Sequence, residues 1–247
     1  MRKIAVFLQI GTIAAVIVIW EEIVVKGFVD PLFLPPPSQV LYSFATLPAL
    51  IGLPFYETLT KTLLSFAVGS GLGIALGILI GSGIFLHDVL YPYIFGLYSI
   101  PRMIFLPLIV LFLGIGFNST LFYAVLHTVL PVIIIVIGGV RAVDKRLILY
   151  AVSVGATLTQ IYTKVIIPAA LPSIIAALRL GIIFSLLGVL IAEMYLSLSG
   201  IGFLMQKLSF AFRSADLFAV TICVAVIAIV ISVLLGEFQK KIGERQI

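Results

Sequence analysis

Three charged side chains, Arg102, Arg179 and Glu193, lie inside apolar stretches, and His127 sits alone in another. A charge at bilayer depth is costly, so each should face a cavity, a partner charge or the interior of a helix bundle. Structural pairing and a place in a solute pathway are both open for the three charged residues. Arg179 and Glu193 are fourteen residues apart, ~21 Å along a helix, so they cannot pair on one straight helix. Glu193 should sit near the outer face, and Arg102, directly after Pro101, near the middle of its span. His127 reads as a hydrogen-bonded core residue rather than a ligand or proton carrier.

Other chemistry lacks support. No GxxxxGK[ST] phosphate loop occurs, so ATP hydrolysis would fall to another chain. No His/Cys cluster has metal-ligand spacing, so neither a metal nor a cofactor is expected. Ser and His residues in apolar helices lack an acid partner for nucleophilic catalysis, and the chain does not read as an enzyme. Cys223 is the one cysteine, which rules out an intramolecular disulfide. The net charge of +5 has no polar domain through which to bind nucleic acid. Orientation in a membrane accounts for it better.

The elements that must hold these residues are spans. The chain is 62% hydrophobic and 10% charged over 247 residues, against about a quarter charged in soluble domains. That predicts an all-α membrane protein with about six spans of ~20 residues. The expected spans are 4–19, 58–84, 89–113, 120–140, 172–195 and 217–235. The first is read as a retained span rather than a signal peptide, because Glu21 and Glu22 follow it and no small-x-small cleavage site appears. Residues 1–55 form an N-terminal helix and an external Pro-rich loop, 56–237 the core and 238–247 a polar tail. Pro35, Pro36 and Pro37 exclude an ordinary helix interior, and a turn at His87 and Asp88 should end the second span. Pro92, Pro101 and Pro107 should break the third, whose freed carbonyls need protein or water partners.

Gly69, Gly73, Gly77 and Gly81 recur every four residues along the second span, with Gly71 and Ser65 nearby. They make a flat stripe that should face protein, either as plain packing within the chain or as a seam that slides during transport. In a six-span arrangement Arg2, Lys3, Arg141, Lys145, Arg146, Lys164, Lys240, Lys241 and Arg245 share one side. Lys26, Lys61, Lys207 and Arg213 take the other. The positive-inside rule then puts both termini in the cytoplasm, as expected of a multi-pass protein of the cytoplasmic membrane.

On that side runs LYAVSVGATLTQIYTKVIIPAALP, residues 149–172, too polar to cross lipid. Leu158, Ile161, Tyr162, Val165 and Ile166 fall on one helical face, which predicts a short amphipathic helix framed by Gly155 and Pro168. This loop resembles the coupling loop of ABC importer permeases, whose pattern sets Glu-Ala-Ala, then Gly, then Pro. Ala151, Gly155 and Pro168 match the second Ala, the Gly and the Pro, while Leu149 and Tyr150 replace Glu and the first Ala. LPPPSQV, TLTKTLLSFAVGSGLGIALGILIG, SIPRMIFLPLIVLFLGIGFNS, GVRAVDKRLI, LPSIIAALRLGIIFSLLGVLIAEM and LSGIGFL follow in the order of the nitrate, sulfonate and taurine permease group.

The resemblance implies the type I importer membrane fold, with a cytoplasmic coupling helix over roughly 147–164. It implies docking of a separate ATP-binding subunit, which carries the ATP and Mg, through Ala151, Gly155, Ala156, Thr159 and Pro168. A second permease copy, here a homodimer, would enclose the pathway in the lipid bilayer. An external binding protein would deliver a small organic or inorganic anion or related nutrient. The alternatives are an ion-gradient-driven transporter and a non-transporting scaffold. Against the former, the spans carry one clear acid, Glu193, and no inverted repeat is visible.

Overall fold

The computed structural model describes the backbone of residues 2–243, and its ordered elements among these residues are all helical. α1 covers Arg2–Val25, α2 Pro37–Ser82, α3 Ile84–Ser99, α4 Leu106–Leu113 and α5 Phe117–Arg141. α6 is Lys145–Ser153, α7 Leu158–Ile161, α8 Ile167–Leu196, α9 Ile201–Phe210 and α10 Ser214–Gly243. Among the described residues, five helices are long and apolar enough to cross a membrane, and α3 with α4 supply a sixth crossing if the bent pair counts as one.

The core is a three-helix layer of α2, α5 and α8, with α5 in the centre. The glycine stripe makes this layer close. A Cβ on Gly69 would lie 2.8 Å from Thr128 Cβ, and one on Gly73 would lie 2.6 Å from Val132 Cγ1. At Gly77 it would lie 2.7 Å from Val136 Cβ, and at Gly81 3.0 Å from Val140 Cβ. The stripe therefore lies along α5 of the same chain, and each missing side chain is replaced by a β-branched neighbour. Between apolar helices in lipid, such dispersion contact is what holds the pair together. Gly181 and Gly188 of α8 face Ser70 and His127 in the same manner. Ser65 and Ser185 add a buried hydrogen bond of 2.6 Å between α2 and α8.

Three expected boundaries move. The Pro-rich loop is shorter than its sequence suggested, because Pro37 opens α2 at a position where a missing N–H costs nothing. Glu21 at the end of α1 accepts bonds from Ser38 N at 3.0 Å and Ser38 Oγ at 2.7 Å, tying α1 to the start of α2. The break after α2 falls at Gly83, whose extended backbone separates α2 from α3, so His87 and Asp88 lie inside α3. The third span is not one rod. α3 and the 3-10 turn leading into α4 meet at 88°. Ile100 and Pro101 are non-helical, and Pro107 sits in the first turn of α4. Proline at 101 removes the donor and clashes with the preceding turn, which ends α3 there.

Candidate functional site

The loop between α5 and α8 is built from capping chemistry. Asp144 accepts from Arg146 N at 2.9 Å and starts α6, and its carboxylate also pairs with the Arg146 guanidinium. Those contacts, the side-chain bond first, hold the Asp144 carboxyl below its ordinary range. α6 ends in a Schellman turn, with Gly155 N donating to Val152 O at 3.0 Å and Ala156 N to Ala151 O at 3.0 Å. Gly155 holds φ +78°, the left-handed conformation that this turn requires. Thr157 and Gln160 then form a capping box that restarts the helix as α7.

The expected coupling helix over 147–164 is thus two pieces. The short surface helix is α6, and Gly155 is the corner rather than the near end of an amphipathic helix. Leu158–Ile166 belongs to the continuous rod that runs from α7 through a π turn at Tyr162–Ile166 into α8. Ile161 and Ile166 are buried on this rod, but Leu158 is 75% exposed and does not share their face. The π turn precedes Pro168, which has no N–H to donate back to Lys164 O, and Ile167 N instead bonds to Tyr162 O.

Leu147, Tyr150, Ala151, Val154, Gly155 and Pro168 are among the residues that line an open groove of about 710 Å³. Ala151 is buried beneath it, Ala156 half-buried, and Thr159 exposed on α7. Ser82 at the end of α2 shares a 2.8 Å hydrogen bond with Tyr162, so the loop is tied to α2 as well as to α8.

Glu193 is fully enclosed, and its partner is Lys61, expected from the sequence as a charge on the outer side. Lys61 is not an external charge. It is 3% exposed, and its Nζ lies 2.9 Å from Glu193 Oε1. Glu193 Oε2 accepts from Thr58 Oγ1 at 2.7 Å and from Gly202 N at 3.0 Å. Thr58 Oγ1 in turn accepts from Ile201 N at 2.8 Å. The first N–H groups of α9 thus cap onto α2 and α8. A Cβ at Gly200 (φ +100°) would overlap the Glu193 carboxylate, and one at Gly202 would overlap Leu190 O. The LSGIGFL spacing therefore lets a helix start press against a buried acid. Glu193 sits near the end of α8, three residues before Leu196, yet it meets no solvent.

Arg179 reaches across to α10, where its Nη2 lies 3.3 Å from Ser232 Oγ and its guanidinium covers Gly236. Arg102 occupies the bend between α3 and α4, stacked over Tyr98 at 5.1 Å, with Nη1 3.5 Å from His127 Nε2. His127 is indeed buried, and its Nδ1 lies 3.1 Å from Phe184 O. The charged residues are not one cluster. Glu193 belongs to a helix junction, Arg179 to the α8–α10 contact and Arg102 to a separate cavity. Among the described residues no group of three His, Cys, Asp or Glu could hold a metal ion.

Residues 71–246 match the family described as binding-protein-dependent transport system inner membrane component. The chain belongs to that family of ABC importer permeases. It is 31% identical to the taurine transport system permease protein TauC of Escherichia coli K12, over 96% of this chain and 89% of that one. It is 32% identical to the putative aliphatic sulfonates transport permease protein SsuC of Bacillus subtilis 168, covering 87% and 78%. In fold, the permease matches a chain of the inward-facing MetNI methionine ABC transporter with TM-score 0.68 at 19% identity, covering 76% and 93%. It also matches a chain of an amino acid ABC transporter with TM-score 0.62 at 22% identity, covering 83% and 97%.

This permease is an inner-membrane, multi-pass and non-enzymatic subunit. Lys61 and Thr58 were missed as partners of Glu193. Their signal was a lysine among three threonines, Thr58, Thr60 and Thr62, at the head of a long apolar run.

Proposed function

We propose that the permease docks a cytoplasmic ATP-binding subunit on α6 and the Gly155 corner, and passes a small anion of the sulfonate, taurine or nitrate kind. The relatives named for taurine and aliphatic sulfonates, and a 31% identical nitrate import permease protein of Synechocystis, support the solute class. The docking reading rests on one observation. Leu149, Tyr150, Val152 and Val154 are 56–69% exposed on a short helix locked at both ends by caps. A rigid helix with exposed apolar residues beside an open groove suits burial in a partner's cleft.

Ala151, Gly155, Ala156, Thr159 and Pro168 shape that surface. Leu149 offers an apolar contact where the family pattern has Glu. With the bent α3–α4 pair counted as one crossing, six crossings would put both termini on one side, and Arg141, Lys145, Arg146 and Lys164 favour the cytoplasm for the loop. The supporting charges at Arg2, Lys3, Lys240, Lys241 and Arg245 lie outside the residues whose side chains are described. A second copy of the permease completes the pathway, and an external binding protein supplies the solute. The core is 56–237, with 1–55 and 238–247 as flanking segments. ATP and Mg reside on the ATPase. Its closure moves α6, and the ties to α2 and α8 convert this into a rocking of spans.

Cross-linking tests the docking face. In a Cys223→Ala background, Leu149→Cys should join, through a short bis-maleimide in native membranes, to a soluble chain with a Walker motif. Leu198→Cys, 75% exposed at the opposite end, should not. Equal adducts from both positions, or none from Leu149→Cys, would refute the placement.

A further inference from the structure

A cavity of about 390 Å³ opens at the bend between α3 and α4, bounded by Tyr98, Pro101, Arg102, Tyr123, His127 and Ile191 among others. It is distinct from the loop groove and from the Lys61–Glu193 junction. His127 lies ten residues into α5, ~15 Å from that helix end at 1.5 Å per residue, so the cavity sits at mid-bundle depth. Its bend is irregular backbone at membrane depth, which is tolerated where it lines a protein or water-filled space and which recurs at transporter binding sites.

Arg102 Nε and Tyr123 OH are both buried without a hydrogen-bond partner. Tyr123 is 1% exposed, so its hydroxyl is desolvated by the bundle. No carboxylate lines the space, and among the described residues none lies within ion-pairing distance of Arg102. His127 is committed elsewhere. Its Nδ1 faces the Phe184 carbonyl at 3.1 Å, and a carbonyl can only accept, so Nδ1 carries the proton. Nε2 then accepts, 3.5 Å from Arg102 Nη1, and together with the Tyr98 ring fixes the guanidinium in place. An uncompensated guanidinium and an orphaned phenol at one mid-membrane cavity are expensive unless a ligand completes them.

We infer that the Arg102–Tyr123 cavity is an oxyanion-binding site within the permease itself, taking a small planar or tetrahedral anion such as nitrate, sulfate or an alkanesulfonate. Arg102 supplies charge and a planar donor fork, Tyr123 a single further donor, and His127 positions the arginine. This rests on the anion reading above and adds that the membrane chain discriminates charge after the binding protein has released its solute.

Thermal unfolding of the purified permease with whatever subunits accompany it tests this. The probes are sodium nitrate, sulfate and methanesulfonate, each against sodium chloride at equal ionic strength. Dimethyl sulfone serves as the uncharged counterpart of methanesulfonate. At least one oxyanion should raise the melting temperature above the chloride value, and dimethyl sulfone should not. Arg102→Gln should weaken that midpoint roughly tenfold or more, and Arg102→Lys less. Tyr123→Phe removes a hydroxyl that bonds to nothing in the protein, so it should melt normally without anion and still lose affinity about threefold to tenfold. The inference is overturned if no oxyanion exceeds chloride, if dimethyl sulfone matches methanesulfonate, or if Tyr123→Phe keeps full affinity. Any of these with an ATPase subunit still bound would leave the importer assignment standing, whereas loss of the ATPase partner would strike that assignment instead.

Discussion

Lys61 and Glu193 meet at 2.9 Å inside the bundle although 132 residues separate them in the chain. The pair joins α2 to α8, and the remaining Glu193 oxygen takes the first N–H groups of α9 through Gly202 and Thr58. Removing one charge leaves the other buried and unmatched. Glu193→Gln or Lys61→Met should therefore destabilise the permease by about 3–5 kcal/mol. The double variant Lys61→Met/Glu193→Gln should recover part of that loss. Melting curves in detergent for the four proteins read the coupling, and simple additivity would show that the two charges do not depend on each other.

The same junction gives a steric prediction. Gly200→Ala places a methyl group where the Glu193 carboxylate lies, in a backbone conformation with φ +100°. Folded yield should fall sharply. Gly96→Ala, where an added Cβ meets nothing within 4 Å, should be harmless. Size-exclusion profiles of fluorescently tagged protein would compare them, and equal monodisperse yields would refute the packing described.

Along the glycine stripe, Gly73→Ala should cost about 1–3 kcal/mol, because its Cβ would press on Val132 at 2.6 Å. Gly73→Leu should abolish folding of the α2–α5 pair. Gly71→Ala, on the open side of α2, should be neutral. Trimming the opposing residue in Gly73→Ala/Val132→Ala should restore stability relative to Gly73→Ala. Thermal melts that rank Gly71 and Gly73 variants alike would contradict an α5-facing stripe.

At the loop corner, an added Cβ at Gly155 meets nothing within 4 Å, but φ is +78°. Gly155→Asn, which tolerates that conformation, should keep most transport, whereas Gly155→Val should strain the turn by about 1–2 kcal/mol. Gly155→Arg should leave the chain inserted in the membrane yet block close approach of a partner. Solute uptake together with membrane-fraction immunoblots separates these outcomes. Unchanged uptake with Gly155→Arg would move the interface elsewhere.

Much of this was legible in the residues. Long apolar runs mark the crossings, because lipid demands ~20 apolar residues whatever the packing. The Gly69–Gly81 spacing marks a contact face, although nothing in it names Val132 or Val136 as the partners. Four things were hidden. Lys61 looked like a surface charge because hydropathy windows cannot see an acid far along the chain. The α3–α4 bend looked like a proline-interrupted rod, since proline breaks a helix without specifying the new direction. The apolar face expected at Leu158–Ile166 holds for Ile161 and Ile166 but not for Leu158, and the Gly155 turn assigns it to the root of α8 and leaves α6 as the exposed helix. The Arg102 cavity depends on His127 and Tyr123 from another element, and spacing within one segment carries no trace of it.

The most direct measurement is mild purification of the tagged permease from its native membrane, with mass spectrometry of what accompanies it. A soluble chain with a Walker ATP-binding motif should appear in stoichiometric amount and be lost with Gly155→Arg while the spans remain intact. Recovery of intact permease without any ATPase, even after cross-linking, would contradict the coupling account and direct attention to transport driven by an ion gradient.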